Sequence, residues 1–178
     1  MKVMMRGLRE LGHVNHRRAI ALLSALFVML WPASGAHAQT CEVNIAGALN
    51  FGIYGLVTPA DGATTLTVQC RLINQAPGRT VNFVIKLTSG PGTYVNRLME
   101  NVGTPGEYLG YNLYTDAGRS LVWGDGTSGT VTVGGQFVHP PANQTTSPIT
   151  IYGRIPANQN VTAGNYATTS PITVIVEY

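Results

Sequence analysis

The sequence predicts an all-β protein: one antiparallel sandwich with one disulfide, preceded by a leader that is removed. Three observations support this prediction. Apolar and polar residues alternate with a period of two along much of the chain after residue 38, and β-branched residues are frequent there. Gly, Pro, Asn and Asp interrupt these runs at short intervals. No long stretch after residue 38 carries an apolar helical face, and strand-turn-strand units without crossover helices are typical of antiparallel sandwiches.

The first 38 residues have the composition of a secretory signal peptide. A basic start that includes Arg17 and Arg18 leads into the apolar run 19–30, and Ala36-His37-Ala38 is a cleavage site of small residues. The apolar run is about 12 residues long, whereas a membrane-spanning helix needs about 20. We therefore expect export, cleavage before Gln39 and no membrane anchor.

Removal of the leader reverses the sign of the net charge. Five of the 11 basic residues and one of the eight acidic residues lie in residues 1–38, so residues 39–178 hold six basic and seven acidic residues. The sequence pI of about 9.0 therefore describes the precursor, and a nucleic-acid partner is not expected. Removing 38 of the 178 residues leaves 140, enough for one domain with a single core.

Both cysteines of the chain, Cys41 and Cys70, lie in the predicted mature domain. Export brings them to an oxidising compartment, where two such thiols normally form a bridge, so one disulfide is predicted. The alternatives are a free buried pair or a metal site. A tetrahedral zinc site needs four ligands, and the mature domain adds only one histidine, His139. No metal or cofactor is expected.

Eight segments have the alternation and composition of strands. They are residues 42–51, 64–70, 81–87, 108–114, 121–123, 129–133, 147–154 and 172–178. Turn-forming residues separate them, and the predicted turns are residues 59–62, 77–78, 89–92, 104–106, 116–118 and 124–126.

The last predicted strand has one face that is apolar throughout. That face carries Ile172, Val174, Val176 and Tyr178. Two interpretations remain open. The segment is either a core strand of an ordinary sandwich, or a strand whose edge and carboxyl terminus are used by a partner.

Short motifs follow one another in a fixed order over essentially the whole mature domain. They are LNFGIY at 49–54, LTVQC at 66–70, RLM at 97–99, LGYNLYTD at 109–116, VWGDG at 122–126, GRIP at 153–156 and AGNY at 163–166. In this ordered set the chain resembles the spore coat protein U domain family, which also supplies the subunits of archaic chaperone-usher pili of the Csu type. Each motif alone is common in exported β-proteins, whereas the ordered set is specific.

The resemblance implies an incomplete immunoglobulin-like, pilin-like sandwich that lacks one strand. Another chain fills the exposed apolar groove by donor-strand pairing. The implied partners are a periplasmic pilus chaperone, an outer-membrane usher and other pilus subunits. The implied partner contacts lie on the C-terminal strand, at Ile172, Val174, Val176 and Tyr178. The implied role is non-enzymatic: a structural or adhesive subunit in the periplasm and then at the cell surface, supporting attachment and biofilm.

Two features depart from the pattern of a polymerising subunit. Only Gln39 and Thr40 precede Cys41 in the predicted mature chain, whereas a donated strand needs about ten residues. We therefore expect the domain to accept a strand rather than to donate one. Residues 168–171 end in Pro171 and predict a bulge or a late start of the last strand.

Two other functions are kept as alternatives. One is a self-contained secreted coat or matrix protein of the same fold. The other is a small sugar-binding or hydrolytic domain. Enzymatic chemistry has little support, because His139 stands beside two prolines without a nucleophile motif.

Other residue types that often form sites have simpler explanations here. Asp116 and Asp125 lie in predicted turns, where aspartate bonds to its own backbone, so calcium binding is the weaker interpretation. Four aromatic residues belong either to a ligand-binding patch or to the core, and the core is favoured for most of them. They are Tyr111, Tyr114, Trp123 and Tyr152.

Overall fold

The computed structural model describes residues 39–72, 80–138 and 144–178. The predicted signal peptide and its cleavage site, the predicted turn at 77–78 and His139 lie outside these ranges. Within them the structure contains strands and no helix.

The strands form antiparallel ladders and differ widely in length. In chain order they are β1 (Gln39–Ile45), β2 (Ala60–Leu72), β3 (Thr80–Leu87), β4 (Arg97–Asn101), β5 (Tyr108–Tyr114), β6 (Val133–Val138), β7 (Gln144–Ile155), β8 (Tyr166–Ala167) and β9 (Val174–Glu177).

These strands form two antiparallel sheets of unequal size. The six-stranded sheet has the order β1-β2-β7-β5-β4-β8, and the three-stranded sheet has the order β6-β3-β9. The longest ladder of the six-stranded sheet pairs β2 with β7, from Ala60 opposite Ile155 to Arg71 opposite Gln144. The predicted fold class, an all-β antiparallel sandwich with one disulfide, is confirmed.

The core forms where alternating side chains of the two sheets meet. In β3 the side chains of Val81, Phe83, Ile85 and Leu87 are all buried, and the residues between them are more exposed. The Phe83 ring stacks on Phe137 of β6 with their centroids 4.6 Å apart. Each fully buried side chain of this size stabilises the fold by about 1.5–3 kcal/mol. Because all four lie on one face of β3, that face packs against the larger sheet.

The disulfide joins the first two strands. Cys41 of β1 lies directly opposite Cys70 of β2, with their Cα atoms 4.0 Å apart. The bridge closes a loop with a sequence separation of 29 residues. It therefore fastens β1, an edge strand, to the central part of the larger sheet.

The segment at Trp123 was predicted as a strand and instead links the two sheets. The backbone N–H of Trp123 donates to Leu113 O of β5 at 2.9 Å, and the indole Nε1 of Trp123 donates to Ile85 O of β3 at 3.1 Å. Gly124 O accepts a hydrogen bond from Leu87 N at 3.1 Å. Because the hydrogen bonds of this segment are divided between two sheets, Val122 and Trp123 form isolated bridges rather than a ladder.

Several other predicted boundaries were wrong. Of the predicted turn at 59–62, residues 60–62 instead begin β2, and Gly62 pairs there with Gly153 of β7. The predicted strand at 129–133 is displaced to β6, and the predicted strand at 42–51 ends at Ile45. Strands β4 and β8 were not predicted, since β4 carries two charged residues and β8 has only two residues.

Candidate functional site

Strands β1 and β9 each leave one edge unpaired. β9 pairs with β3 from Leu87 opposite Val174 to Val84 opposite Glu177. Among residues 39–72, 80–138 and 144–178, no strand pairs with the other edge of β9, and β1 pairs only with β2. The two strands belong to different sheets, yet their Cα atoms come within 8 Å of each other. Two free edges therefore lie along the same margin of the sandwich.

Both edge strands turn partly covered apolar side chains toward the core. Val174 and Val176 of β9 pack against the core and remain partly exposed, and the same holds for Cys41 and Val43 of β1. The residues between them, Glu42 in β1 and Ile175 in β9, are exposed. We call these four apolar residues, with the two free edges, the β1/β9 seam.

The predicted partner-contact residues do not all belong to a strand. β9 covers only Val174–Glu177, so Ile172 precedes it and Tyr178 follows it. Ile172 is half-buried and packs against the core, whereas 54% of Tyr178 is exposed. The late start after Pro171 agrees with the expectation for residues 168–171.

The paired side of β9 is firmly attached. Thr88 N donates to Thr173 O at 3.0 Å, and Thr173 N donates back to Thr88 Oγ1 at 2.9 Å. The Lys86 ammonium lies 2.6 Å from a Glu177 carboxylate oxygen. These contacts hold β9 in register with β3, so its free edge has a defined position.

Beneath the end of β3 lies a fully buried cation, Arg97. Its guanidinium donates to Thr88 O at 3.2 Å, to Trp123 O at 2.7 Å and to Asn112 Oδ1. Burial lowers the pKa of Arg97, although a guanidinium stays protonated at neutral pH. No ion pair to Arg97 occurs within the part of the chain that the structure describes. The dipoles of neutral oxygen acceptors, rather than a carboxylate, therefore stabilise this charge.

Sequence reasoning missed the role of Arg97. A signal was present, because Arg97, Met99 and Asn101 alternate with more exposed residues and share the buried face of β4. Alternation in a strand predicts that Arg97 points the same way as Met99. The row of Cys41 and Val43 was also missed as part of the seam, since only the fold brings β1 near β9.

A charged cluster lies where β2 and β7 pair. Arg154 donates to both carboxylate oxygens of Asp61, at 2.7 and 2.9 Å, and Arg119 Nε lies 3.1 Å from the same carboxylate. The hydrogen bond from Arg154 holds the pKa of Asp61 below its ordinary value. The cluster joins strands β2 and β7 to the loop of Arg119.

The two turn aspartates accept hydrogen bonds from their own loops. Asp116 accepts from Leu121 N at 2.8 Å and from Ser120, while Asp125 accepts from Thr127 Oγ1 at 2.6 Å and from Thr127 N at 2.9 Å. These bonds hold the pKa of both carboxyl groups below the ordinary value. No group of three or more His, Cys, Asp or Glu in the described ranges is placed to hold a metal ion.

The four aromatic candidates do not form one exposed patch. Tyr111 and Trp123 are buried in the core, whereas Tyr114 and Tyr152 are partly exposed. Residues 39–72, 80–138 and 144–178 contain no helix that is long and apolar enough to cross a membrane.

Comparison with known proteins adds two findings. The model of the Spore Coat Protein U domain family matches residues 29–173 of this chain. Protein U of Myxococcus xanthus is 32% identical to the chain over 135 residues, which covers 72% of this chain and 71% of that protein.

Proposed function

Because the chain belongs to the Spore Coat Protein U domain family, we propose that it is a structural or adhesive subunit of a bacterial surface assembly. It acts by binding rather than by catalysis. Residues 1–38 direct export and are removed, and the mature domain 39–178 passes through the periplasm to the cell surface. There it supports attachment and biofilm.

The single observation that supports this proposal most directly is the β1/β9 seam. A free strand edge presents unpaired N–H and C=O groups, and an added strand satisfies them through main-chain hydrogen bonds. Val174 and Val176 on one side, with Cys41 and Val43 on the other, offer partly exposed apolar surface to alternate side chains of that strand. The expected first occupant is a strand of a periplasmic chaperone. At an outer-membrane usher, a strand of another pilus subunit then replaces it.

A specific observation favours the second candidate, a self-contained coat or matrix protein. The inward side chains of β3 are already covered without any added strand, with Ile85 0% and Leu87 1% exposed. A core this well covered is compatible with a monomer that folds alone. The two candidates differ in whether the seam needs an occupant.

The test is co-expression of the full chain in the periplasm with a periplasmic pilus chaperone from the same organism. We expect a stable complex after purification, in which backbone amides of residues 174–177 exchange hydrogen more slowly than in the chain alone. An added strand gives this result because it pairs with the free edge of β9.

Two variants of β1 make the test specific to the seam. Val43→Arg places a charge among the apolar residues of the seam and should abolish the complex, because a desolvated charge there has no partner. Asn44→Arg places the same side chain on the exposed face of β1 and should leave the complex intact. A stable monomer that does not bind the chaperone would contradict the subunit proposal and favour the self-contained protein. Equal binding of the two variants to the chaperone would do the same.

A further inference from the structure

The unequal sheets leave part of the larger sheet without a covering strand. A three-stranded sheet cannot cover six strands, and the segments 48–56 and 159–166 lie over the remainder. Between them is a cavity of about 690 Å³, whose buried lining residues are Met99 of β4, Leu109 of β5 and Ile155 of β7. A cavity of this size is in the usual range for small-ligand sites. In the larger sheet, β2 separates β1 from the strands that line the cavity, β7, β5 and β4. The cavity is therefore separate from the β1/β9 seam.

Three partly exposed aromatic rings line this cavity, and contacts elsewhere hold each of them. The Tyr54 hydroxyl donates to Pro156 O at 3.0 Å and accepts from Gln159 N at 2.9 Å. The Tyr166 hydroxyl donates to Thr162 O at 2.6 Å. Phe51 packs edge-on against Tyr111 with their centroids 5.7 Å apart. The rings are therefore fixed before any ligand binds, which lowers the entropic cost of binding.

Amide side chains supply the polar part of the lining. Asn160 and Asn165 are exposed, and neither side chain hydrogen-bonds to a residue in the described ranges. Gln159 differs, because its amide bonds to both the N–H and the C=O of Gly110 at 2.8 Å. Gln159 thus belongs to the fold, whereas Asn160 and Asn165 keep donors and acceptors for a ligand.

Among the residues that the structure describes, none of those lining the cavity is charged or a histidine. An anionic or cationic ligand would lose water there without meeting an opposite charge. A plain alkyl chain would desolvate the asparagine amides without replacing their hydrogen bonds. A sugar ring has apolar C–H faces that pack on aromatic rings, and hydroxyls that pair with amides.

We propose that this cavity binds a neutral oligosaccharide. The aromatic residues pack against the sugar rings, and Asn160 and Asn165 hydrogen-bond to hydroxyl groups. Such a site would give the protein a glycan contact of its own, whether or not a strand fills the seam.

The proposal is tested by adding cellotetraose, maltotetraose or tri-N-acetylchitotriose to the exported, 15N-labelled full chain and recording NMR spectra. We expect at least one of these neutral chains to bind and to shift the amide signals of residues 49–56 and 159–166. The double variant Asn160→Ala, Asn165→Ala should weaken binding about tenfold or more, since two charge-neutral hydrogen bonds are lost. Tyr166→Leu should weaken it by a similar factor.

Control variants and ligands distinguish binding in this cavity from nonspecific binding. Asn44→Ala removes an exposed asparagine of β1 outside the cavity and should leave binding unchanged. Decanol, oligogalacturonate and chitosan oligomers are the alkyl, acidic and basic comparison ligands. Binding of one of these in preference to every neutral sugar would overturn the proposal. So would shifts confined to other residues, or no binding of the three neutral chains at millimolar concentration.

Discussion

The guanidinium of Arg97 donates a hydrogen bond of 2.7 Å to the carbonyl oxygen of Trp123 in the interior of the sandwich. Both side chains are 0% exposed. Trp123 bonds in turn to Ile85 of the smaller sheet and to Leu113 of the larger one. A single buried polar network therefore connects the two sheets close to the point where β9 begins.

Replacing Arg97 should strongly destabilise the fold. Arg97→Met keeps much of the volume but removes the donor of two buried hydrogen bonds, to Trp123 O and Asn112 Oδ1, and of a partly buried one to Thr88 O. We expect a loss of about 3 kcal/mol or more in the free energy of unfolding, measured by urea denaturation. Lys86→Met removes a partly exposed ion pair and is the matched control, with an expected change of about 1 kcal/mol or less. Equal effects of the two substitutions would contradict the role assigned to Arg97.

Removing the disulfide should lower the free energy of unfolding, because the unfolded chain gains conformational entropy without the bridge. Its loop has a sequence separation of 29, for which the chain-entropy model gives about 3–4 kcal/mol. The paired variant Cys41→Ser, Cys70→Ser should unfold at a correspondingly lower urea concentration. Reductant should destabilise the natural protein by the same amount and leave the variant unchanged. A reductant effect on the variant would show that another process is being measured.

Gly62 should be intolerant of a side chain. A Cβ atom at this position would lie 2.5 Å from the backbone oxygen of Asn50, which cannot move as a side chain does. Gly62→Ala should therefore destabilise the fold by about 1–3 kcal/mol. A Cβ at Gly47 would meet no atom of the described residues within 4 Å, so Gly47→Ala should change stability little or raise it slightly. Thermal unfolding of the two variants decides the comparison, and similar melting temperatures would refute it.

Stability should fall in acid. Hydrogen bonds hold the folded-state pKa values of Asp61, Asp116 and Asp125 below their ordinary value of 3.8. A carboxyl group with a lowered folded pKa stabilises the protein above its unfolded pKa and loses that contribution as the pH falls through the folded value. The free energy of unfolding should thus be flat near neutral pH and decline below about pH 5.

Single substitutions assign this acid dependence to particular groups. Asp116→Asn and Asp125→Asn should each make the decline shallower, because the replaced group no longer takes up a proton. Asn44→Ala removes no titrating group from an exposed position of β1 and should leave the slope unchanged. A slope that none of the aspartate substitutions alters would contradict the assignment.

Much of the fold was predictable because its information is local. β5 was predicted with its observed bounds and β3 to within one residue, since each has the alternation or apolar content of a buried strand. The turn predicted at 59–62 failed for a tertiary reason. Gly62 lies in a strand because it pairs with Gly153 of β7, and it is a glycine because the backbone oxygen of Asn50 occupies the space that a side chain would fill.

The candidate site was predictable only in part. The apolar face of Val174 and Val176 follows from alternation, whereas the unpaired edge beside it is a property of strand order. The cavity had no sequence signal, because segments 48–56 and 159–166 are distant in the chain and meet only over the larger sheet.

By itself, the sequence determined the all-β class, the pairing of its two cysteines and the spacing of most strands, since these depend on neighbouring residues and on a count of thiols. Only the tertiary structure decided the strand order, the burial of Arg97, the nearness of β1 to β9 and the uncharged cavity. Each of these depends on which distant segments pack together, and hydrophobic burial, which drives packing, does not depend on position in the chain.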